Sequence, residues 1–394
     1  MSKQALPTGW KSVKLGTLFA ERVENNCPDL ELLSVTGIRG IIPRSELESK
    51  DNSNEDKSKY LKVCKGDIAY NTMRMWQGVS ALSEYDGIVS PAYTVLNPSD
   101  SVCAKYFAYL FKLHHMIFQF YRNSQGLVDD TRNLKYKNFA RISVFVPPLP
   151  EQQAIAEILT TSDKLIAVKE RLIATKKKQK RWLMQNLLTG KVRLPGFSGA
   201  WERKALQDCG AIITGSTPST IESDNFGNDY LWVTPTDIGD GVYIHNTERK
   251  LSKKGMAKCR LIKSGSVLVT CIASLGKNVI LSENGSCNQQ INAITPNKNY
   301  SSEYLYYLMV FSELKLKKFA GKTATPILNK ETFQNMVFRF PPLPEQQAIA
   351  EILTTADREI ELLKKDLEQH KLTKKYLIQQ LLTGKIRVKG ALIQ

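Results

Sequence analysis

Two short motifs in the sequence come close to catalytic patterns, and each lacks an essential residue. A phosphate-binding loop needs Gly-x4-Gly-Lys-Ser/Thr, whose backbone N–H groups surround a nucleotide phosphate. Residues 321–323 (GKT) supply the end of this pattern, but Leu316 stands where the first glycine is needed. An adenine methyltransferase needs Asn/Asp-Pro-Pro and then an aromatic residue, to hold a flipped base. Both Pro-Pro pairs, at 147–148 and 341–342, follow an apolar residue and precede leucine. The sequence therefore predicts neither nucleotide hydrolysis nor methyl transfer by this chain.

Metal and redox chemistry are equally poorly supported by the residue spacing. The four histidines form no HExxH motif, the seven cysteines form no CxxC pair, and no Gly-x-Ser-x-Gly motif occurs. Scattered cysteines in odd number are typical of reduced thiols, so we expect a cytoplasmic protein without a metal site or disulfide framework. No run of about 18 apolar residues is present, so we expect no membrane-spanning helix.

The charge balance points to a polyanionic partner. The 394 residues include 55 basic and 38 acidic ones, which gives a formal net charge of +17. Such an excess favours nucleic acid first and an anionic membrane surface second. A basic protein without either ligand stays open at this point.

The chain repeats itself, and the repeat indicates how it is organised. Residues 147–161 and 341–355 both read PPLPEQQAIAEILTT, and the match continues without a gap to residues 193 and 387, with 27 identities in 47 positions. The blocks in front repeat only faintly, as where Trp10 corresponds to Trp201 and Leu15 to Leu206. Each half is therefore a divergent block followed by a preserved one, as expected of two similar frames that hold two different binding regions.

Each preserved block has the pattern of one long helix. Prolines and a glutamate stand in its first turn, where a missing N–H is tolerated and negative charge is favoured. Apolar residues then recur at alternating gaps of four and three, and Gly190 and Gly384 follow as C-terminal caps. We expect two helices of about 40 residues that pack together. The stripe residues predicted to form the interface of the helix pair are Ile155, Leu159, Ile166, Ile173, Leu183, Leu187, Ile349, Leu353, Ile360, Leu363, Leu367, Leu377 and Leu381.

Two features modify this simple helix pair. The stripe includes the polar residues Ser162, Lys169, Lys176, His370 and Lys374. Apolar residues also lie off the stripe, namely Val168, Leu172, Trp182 and Met184. They offer more apolar surface than one partner covers, which favours a second helical partner.

The linkers repeat in a circular sense. LPGF and Trp201 follow the first helix, whereas the matching continuation of the second helix resembles residues 6–11 (LPTGWK) at the start of the chain. We therefore expect the second helix to end beside the beginning of the first divergent block.

These motifs resemble the specificity subunit of type I restriction–modification systems. The resemblance rests on PPLPEQQAIAEIL in both copies, LLTGKVRLPGF after the first helix, and the segments 215–219 (GSTPS), 231–238 (LWVTPTDI) and 288–294 (NQQINAI), and it covers essentially the whole chain. It implies an α+β fold in which two pseudo-symmetric mixed α/β target recognition domains are separated by two long antiparallel helices forming a coiled coil. The implied division is a first recognition domain at 1–146, a helix at 147–190, a linker and second recognition domain at 191–340, a helix at 341–387, and a tail at 388–394.

The same resemblance implies a subunit with no catalysis and no cofactor of its own. It would bind double-stranded DNA at a bipartite asymmetric site, one half per recognition domain. Two modification subunits, which methylate adenine with S-adenosylmethionine, would dock on the helices. Restriction subunits, which are motor–nucleases that use ATP and Mg, would complete the enzyme.

Candidate DNA-binding residues follow from chemistry, because phosphates attract basic groups and base edges pair with amide, guanidinium and hydroxyl groups. We expect them in polar segments that differ between the halves and lie between strand-like runs. In the first half they are Asn71, Thr72, Arg74, Gln77, Ser90, Tyr93, Arg132, Asn133, Lys135 and Lys137. In the second half they are Thr217, Thr234, Thr236, Lys277, Asn288, Gln289, Gln290, Lys322 and Thr323. A framework role for residues 288–290 stays open, because they belong to the motifs that carry the resemblance.

Two other functions stay open. One is a basic coiled-coil scaffold without sequence specificity. The other is a fused methyltransferase or nuclease, against which the missing motifs argue.

Overall fold

A computed structural model describes residues 7–36, 39–48, 53–320 and 326–388. The chain divides into two units. The first comprises the described parts of Met1–Lys169 and Leu367–Gln394, and the second those of Glu170–Asp366. Both long helices are divided between the units, so each unit combines one divergent block with a segment of each helix. The finer domain boundaries expected from the sequence stay a prediction.

The first unit is a mixed α/β domain. Its strands are β1 (Lys11–Lys14), β2 (Phe19–Arg22), β3 (Leu33–Thr36), β4 (Gly40–Pro43), β5 (Leu61–Val63), β6 (Ile68–Asn71), β7 (Ser80–Leu82), β8 (Gly87–Val89), β9 (Tyr93–Pro98) and β10 (Ser143–Val146). Its helices are α1 (Leu15–Leu18), α2 (Ala104–Leu110), α3 (His114–Asn123) and α4 (Tyr136–Phe139), followed by the long helix α5 (Leu149–Leu187). Strands β2, β9, β6 and β7 form an antiparallel sheet in that order, while β1 pairs with β10, β3 with β4 and β5 with β8.

The second unit has the same class of fold. Its strands are β11 (Glu202–Ala205), β12 (Gly210–Thr214), β13 (Phe226–Gly227), β14 (Tyr230–Val233), β15 (Tyr243–Ile244), β16 (Lys250–Leu251), β17 (Val267–Thr270), β18 (Asn278–Leu281), β19 (Gly285–Cys287), β20 (Ile291–Pro296) and β21 (Val337–Phe340). Its helices are α6 (Leu206–Cys209), α7 (Lys253–Ala257), α8 (Ser302–Phe311), α9 (Glu313–Phe319) and α10 (Lys330–Gln334), followed by the long helix α11 (Leu343–Leu381). The sheets run β12-β20-β17-β18-β15 and β13-β16-β14-β19, and β11 pairs with β21.

The two units share one plan beneath their different sequences. In each, the first strand pairs antiparallel with the last strand before a long helix, with Lys11 opposite Val146 and Glu202 opposite Phe340. The order β2-β9-β6 returns as β12-β20-β17. The expected fold class is confirmed: two mixed α/β domains are accompanied by two long helices that pack together. Each long helix has 39 residues, close to the expected 40.

The predicted stripe is the less exposed side of both long helices. Nine of its apolar residues are buried, namely Ile155, Leu159, Ile173, Leu187, Ile349, Leu353, Ile360, Leu367 and Leu381. The other four, Ile166, Leu183, Leu363 and Leu377, are half-buried. The ends of the stripe enter the cores of the units, as Leu159 and Leu381 do in the first and Leu187 and Leu353 in the second. Assignment of the whole stripe to an interface between the helices stays a prediction.

Ion pairs account for some of the polar residues on the stripe, namely Lys176 and Lys374. In the second unit, Lys176 Nζ lies 2.6 Å from Glu359 Oε1 and Lys180 Nζ lies 2.5 Å from Asp357 Oδ1. Since the residue number rises on one helix as it falls on the other, the paired segments are antiparallel. In the first unit, Lys374 bonds to Asp163.

The prediction that the apolar residues off the stripe are exposed is wrong for one of the four. Val168, Leu172 and Trp182 are exposed, as expected of residues that await another partner. Met184 instead belongs to the core of the second unit, because it sits one position after Leu183 and turns toward the sheet and α8.

The circular linkage is confirmed within the first unit. After α11, Gly384 adopts φ +69°, and a Cβ built on it would lie 2.5 Å from Pro7 and 3.2 Å from the Trp10 ring. The Arg387 guanidinium donates to the carbonyl of Thr8 at 2.6 Å. The end of the second helix therefore contacts the start of the first divergent block. No helix among the described residues is long and apolar enough to cross a membrane.

Candidate nucleic-acid interface

In the first unit, three loops are tied together beyond the end of β6. Asn71 is the last residue of this strand, and Thr72 donates from both its N–H and its hydroxyl to the carbonyl of Ala92, at 3.1 and 2.9 Å. The carbonyl of Thr72 accepts the N–H of Leu134 at 2.8 Å. Residues from three parts of the chain therefore form one polar face.

Two of the predicted contact residues project from this face. Arg74 and Gln77 are exposed, while Met75 between them is buried in the core and anchors the turn. Lys112 stabilises the turn, since its ammonium donates to the carbonyls of Gly78 and Ser80 at 2.7 and 2.6 Å. Burial lowers the pKa of Lys112. The arrangement presents a guanidinium and an amide on a fixed turn, which suits recognition of base edges.

Ser90 and Tyr93 lie at the edge of the same face. The Ser90 hydroxyl accepts the N–H of Ala92 at 3.3 Å, and Tyr93 begins β9 opposite Asn71. Both side chains are half-buried.

The segment with Arg132, Asn133, Lys135 and Lys137 does not lie between strands, as the sequence had suggested. It runs from the end of α3 into α4, which contains Lys137, and its β-structure is a single bridge between Gln125 and Asn133. Arg132 is engaged inside the segment: Nε donates to Asp129 at 2.9 Å, Nη2 donates to Tyr121 at 2.7 Å, and the guanidinium lies 3.8 Å from the Tyr121 ring centre. Lys135 and Lys137 are its exposed cations.

In the second unit, a carboxylate organises the hydroxyls that follow β14. Asp237 Oδ2 accepts the N–H of Thr234 at 2.8 Å and its hydroxyl at 2.6 Å, and the Thr236 hydroxyl lies 2.8 Å from that of Thr234. Asp237 Oδ1 also accepts the N–H of Glu248 at 2.8 Å. The two threonines thus have fixed positions.

Residues 288–290 serve both as framework and as surface. The Asn288 N–H donates to Val233 at 2.9 Å, and the Asn288 and Gln290 side chains bond to each other at 3.0 Å. Gln289 is exposed and accepts the hydroxyl of Thr217 at 2.5 Å. The backbone of this turn is therefore part of the framework, as the sequence had left open. The side-chain amide of Gln289 is exposed on the surface.

These groups line a cleft of about 480 Å³, which we call the polar cleft. Its lining includes Thr234, Thr236, Asn288 and Gln290, with Trp232, Ile272, Ala273, Ser274, Glu248 and Arg249. Ala273 has φ +59°, a left-handed conformation that costs about 1–2 kcal/mol for a residue with a Cβ. Strain of this kind concentrates at functional sites.

The remaining predicted residues of the second half do not join this cleft. Lys277 is exposed at the end of the loop that carries Ala273. Thr217 and Gln289 pair with each other outside it. Lys322 and Thr323 lie outside the described residues.

Sequence reasoning missed two equivalent ion pairs, one in each unit. We call them the Glu–Arg clamps. Glu151 accepts Nε and Nη2 of Arg387 at 2.7 and 2.8 Å, and Glu345 accepts the same atoms of Arg193 at 2.6 and 2.7 Å. Both carboxylates are almost fully buried. Each clamp joins the start of one long helix to the segment after the other helix.

The neighbouring glutamines make a second repeated contact. In the first unit, Gln152 accepts the N–H of Cys103 at 3.0 Å and donates to Pro147 at 3.0 Å. In the second, Gln346 accepts the N–H of Ser301 at 3.1 Å and donates to Pro341 at 2.9 Å. Each glutamine therefore fixes the divergent block to the start of a helix. The signal was the repeated EQQ triplet, in which only the glutamate had an expected role, at the positive end of the helix dipole.

A third repeated contact involves a tyrosine, an aspartate and a lysine. Tyr109 donates to Asp163 at 2.6 Å, and Lys374 bonds to the same carboxylate. Tyr307 donates to Asp357 at 2.8 Å, and Lys180 bonds to that carboxylate. Burial, and then the hydrogen bond to Asp163, raise the pKa of Tyr109 to about 12. The stripe residue Lys374 is thus paired across the two helices with Asp163.

Among the described residues, no group of three His, Cys, Asp or Glu side chains is placed to hold a metal ion. The two polar faces instead offer hydroxyl, amide and guanidinium groups on rigid turns.

Comparison with known families decides what this arrangement belongs to. The model of the type I restriction modification DNA specificity domain matches residues 7–176 and again residues 199–371. The chain belongs to the family of type I specificity subunits. The two matches correspond to the two repeats, so this type I specificity subunit contains the family's domain twice. The family is non-catalytic, and its members are the DNA specificity subunits of type I restriction–modification systems.

Relatives of known name agree with this membership. The chain is 25% identical over 418 residues to the type I restriction enzyme MjaVIII specificity subunit of Methanocaldococcus jannaschii, covering 98% of this chain and 95% of that subunit. It is 34% identical over 174 residues to the MjaIX specificity subunit of the same organism, a match that spans 43% of this chain and only 40% of that subunit.

Solved structures share the fold over the whole length. The HsdS subunit from Thermoanaerobacter tengcongensis matches with a TM-score of 0.55 at 18% identity, covering 98% of this chain and 99% of that one. The type I system S subunit from M. genitalium matches with a TM-score of 0.57 at 13% identity, covering 97% and 98%.

Proposed function

We propose that each unit of this specificity subunit reads one half of a bipartite, asymmetric DNA site. The observation that carries the proposal is the contrast between identical frames and different polar faces. The Glu–Arg clamps and glutamine contacts recur in both units, whereas the polar face of the first unit presents Arg74 and Gln77 and that of the second presents Thr234, Thr236 and Asn288. Different base-contacting groups on equivalent supports predict two different half-sites.

The proposal extends to the partners. Leu172 and Trp182 are exposed apolar residues on the segment of α5 in the second unit, with 40% and 56% of their surface accessible, and Val168, with 58%, is exposed on the segment in the first unit. Surfaces of this kind suit docking of helical partners, and we assign them to modification subunits that methylate adenine. Restriction subunits, which dock as well, complete the enzyme. The chain needs no cofactor, because S-adenosylmethionine belongs to the modification subunit and ATP and Mg to the restriction subunit. Such an enzyme would work in the cytoplasm.

Methylome sequencing of a host that carries this chain with its modification partner tests the proposal. The expected result is methylated adenine in one asymmetric motif of two defined segments around a non-specific spacer. A host lacking this chain, with the partner alone, is the control. Methylation without sequence preference would favour the alternative of a basic scaffold and would contradict the proposal.

A further inference from the structure

A second cleft of the second unit, which we call the basic groove, lies between its loops and its helix segments. It is lined by Lys177, Lys180 and Arg181 of α5, Lys364 of α11, Lys277 and Asp240 of the loops, and Asp357. Five of these side chains are basic and two are acidic. The groove therefore carries a local excess of positive charge in a protein that is basic overall.

Only part of this charge is compensated internally. Lys180 pairs with Asp357 at 2.5 Å and Lys364 lies 3.6 Å from Asp240. Among the described residues, neither Lys177 nor Arg181 has a carboxylate within ion-pair distance, and both are exposed. Two cations are thus held beside a groove with no anion of the unit to neutralise them.

The basic groove continues the polar cleft. The loop after β14 contributes Thr234 and Thr236 to the cleft and Asp240 to the groove, and the loop after β17 contributes Ser274 to the cleft and Lys277 to the groove. The Lys277 ammonium also donates to the carbonyl of Pro235 at 3.5 Å, which joins the two loops.

The chain that joins the two clefts is short enough for one DNA duplex to contact both. Asp240 is four positions after Thr236, so the chain between them spans at most about 14 Å. Five base pairs of B-DNA rise about 17 Å at 3.4 Å per step along each strand. A base edge held in the polar cleft therefore leaves phosphates of the same duplex within reach of the basic groove.

We propose that the basic groove binds the sugar–phosphate backbone of the DNA whose bases enter the polar cleft, with Lys177 and Arg181 of the long helix as its phosphate contacts. The inference rests on the proposed function, since it takes the polar cleft as the base-reading surface. It assigns a DNA contact to α5, a helix otherwise expected to act only in packing and partner docking. Phosphate contacts of this kind fix the position of a protein on DNA without selecting a sequence.

The repeat supports a role for these positions. Lys177, Lys180 and Arg181 correspond, at the constant offset of 194, to Lys371, Lys374 and Lys375 of α11. All three positions are basic in both copies, although most of the residues around them differ.

The test compares two double variants on the same helix with the same change of charge. K177E/R181E removes both phosphate contacts, and R171E/K178E changes two exposed residues of α5 that do not line the groove. Affinity of the full chain is measured for a duplex with the methylated motif and for an unrelated duplex, between 50 and 200 mM salt, with thermal melting as the check on folding. The expected slope of log K against log salt for K177E/R181E is shallower by about 1–2, because each phosphate neutralised contributes about 0.9.

Each outcome decides the inference. A shallower slope with an unchanged preference for the motif supports it, provided that R171E/K178E behaves like the wild type. The milder pair K177Q/R181Q should lose affinity in the same sense if K177E/R181E folds poorly. An unchanged slope, an equal loss in the control pair, or loss of the modification subunit from the purified complex with unchanged DNA binding would overturn it. Failure of the proposed function appears differently, as a wild-type chain without preference for any motif.

Discussion

The frames of the two units are nearly identical in their contacts, whereas the polar faces they support share almost none. Glu151 and Gln152 repeat in Glu345 and Gln346, with partners at equivalent positions and distances that agree within about 0.1 Å. The face of the first unit exposes a guanidinium and an amide on one turn, while that of the second encloses hydroxyls and amides in a cleft. If each unit reads one half-site, as proposed, selection of DNA sequence must reside in the polar faces, because a support that does not vary cannot distinguish two half-sites.

The buried glutamines give the largest expected effect and test the equivalence of the frames. Q152L and Q346L each leave a buried backbone N–H and carbonyls without partners, so each should lower the free energy of unfolding by about 2–3 kcal/mol. Q153L and Q347L, at exposed neighbouring positions, should change it by less than about 0.5 kcal/mol. Urea unfolding measures all four. Unequal losses for the two buried glutamines would show that the frames are not energetically equivalent.

Substitutions on the two polar faces test whether each face acts on its own half-site. R74A should weaken discrimination in one half-site only and N288A in the other only, each by about 1–3 kcal/mol per base pair contacted. Binding to duplexes that carry single substitutions in each half-site measures this. A variant with wild-type affinity and specificity would remove its residue from the recognition surface.

The Tyr–Asp–Lys contacts should have a smaller effect, because their carboxylates are partly exposed. Asp163 has a side-chain accessibility of 44% and Asp357 of 28%. D163N and D357N should each destabilise the chain by about 1 kcal/mol, since the ion pair is lost while a hydrogen-bond acceptor remains for the tyrosine. Thermal unfolding in parallel with the wild type checks the values. An effect as large as that of Q152L would mean that this contact, and not the glutamine, dominates the frame.

The parts of the fold that could be predicted from the sequence were those that repetition and periodicity report. The alternating gaps of the stripe predicted both long helices at about their observed length of 39 residues, and the circular linker predicted that the second helix ends beside the start of the first divergent block. The Glu–Arg clamps were missed because Glu151 and Arg387 are 236 residues apart and local patterns do not report such pairs. Met184 was misplaced because a position off a stripe can still face a domain core.

The polar faces were predicted only in part, for a different reason. Thr234, Thr236, Asn288 and Gln290 converge on one cleft, but Arg132 is engaged with Asp129 and Tyr121 inside its own loop. Composition predicts which side chains are able to contact DNA, whereas the loop fold determines which of them are available. The segment of Arg132 also joins two helices, which polar composition alone does not distinguish from a connection between strands.

The central claim is that each unit reads one half-site independently on a shared frame, and an exchange of one divergent block tests it most directly. Residues 11–146 are replaced by the equivalent block of another type I specificity subunit whose site is known, with Glu151, Gln152 and Arg387 left in place. The methylome of a host that carries this chimera and the modification partner is then sequenced. The account predicts that one segment of the motif changes to that of the donor while the other segment is retained. A change in both segments, in a chimera that still methylates DNA, would contradict it.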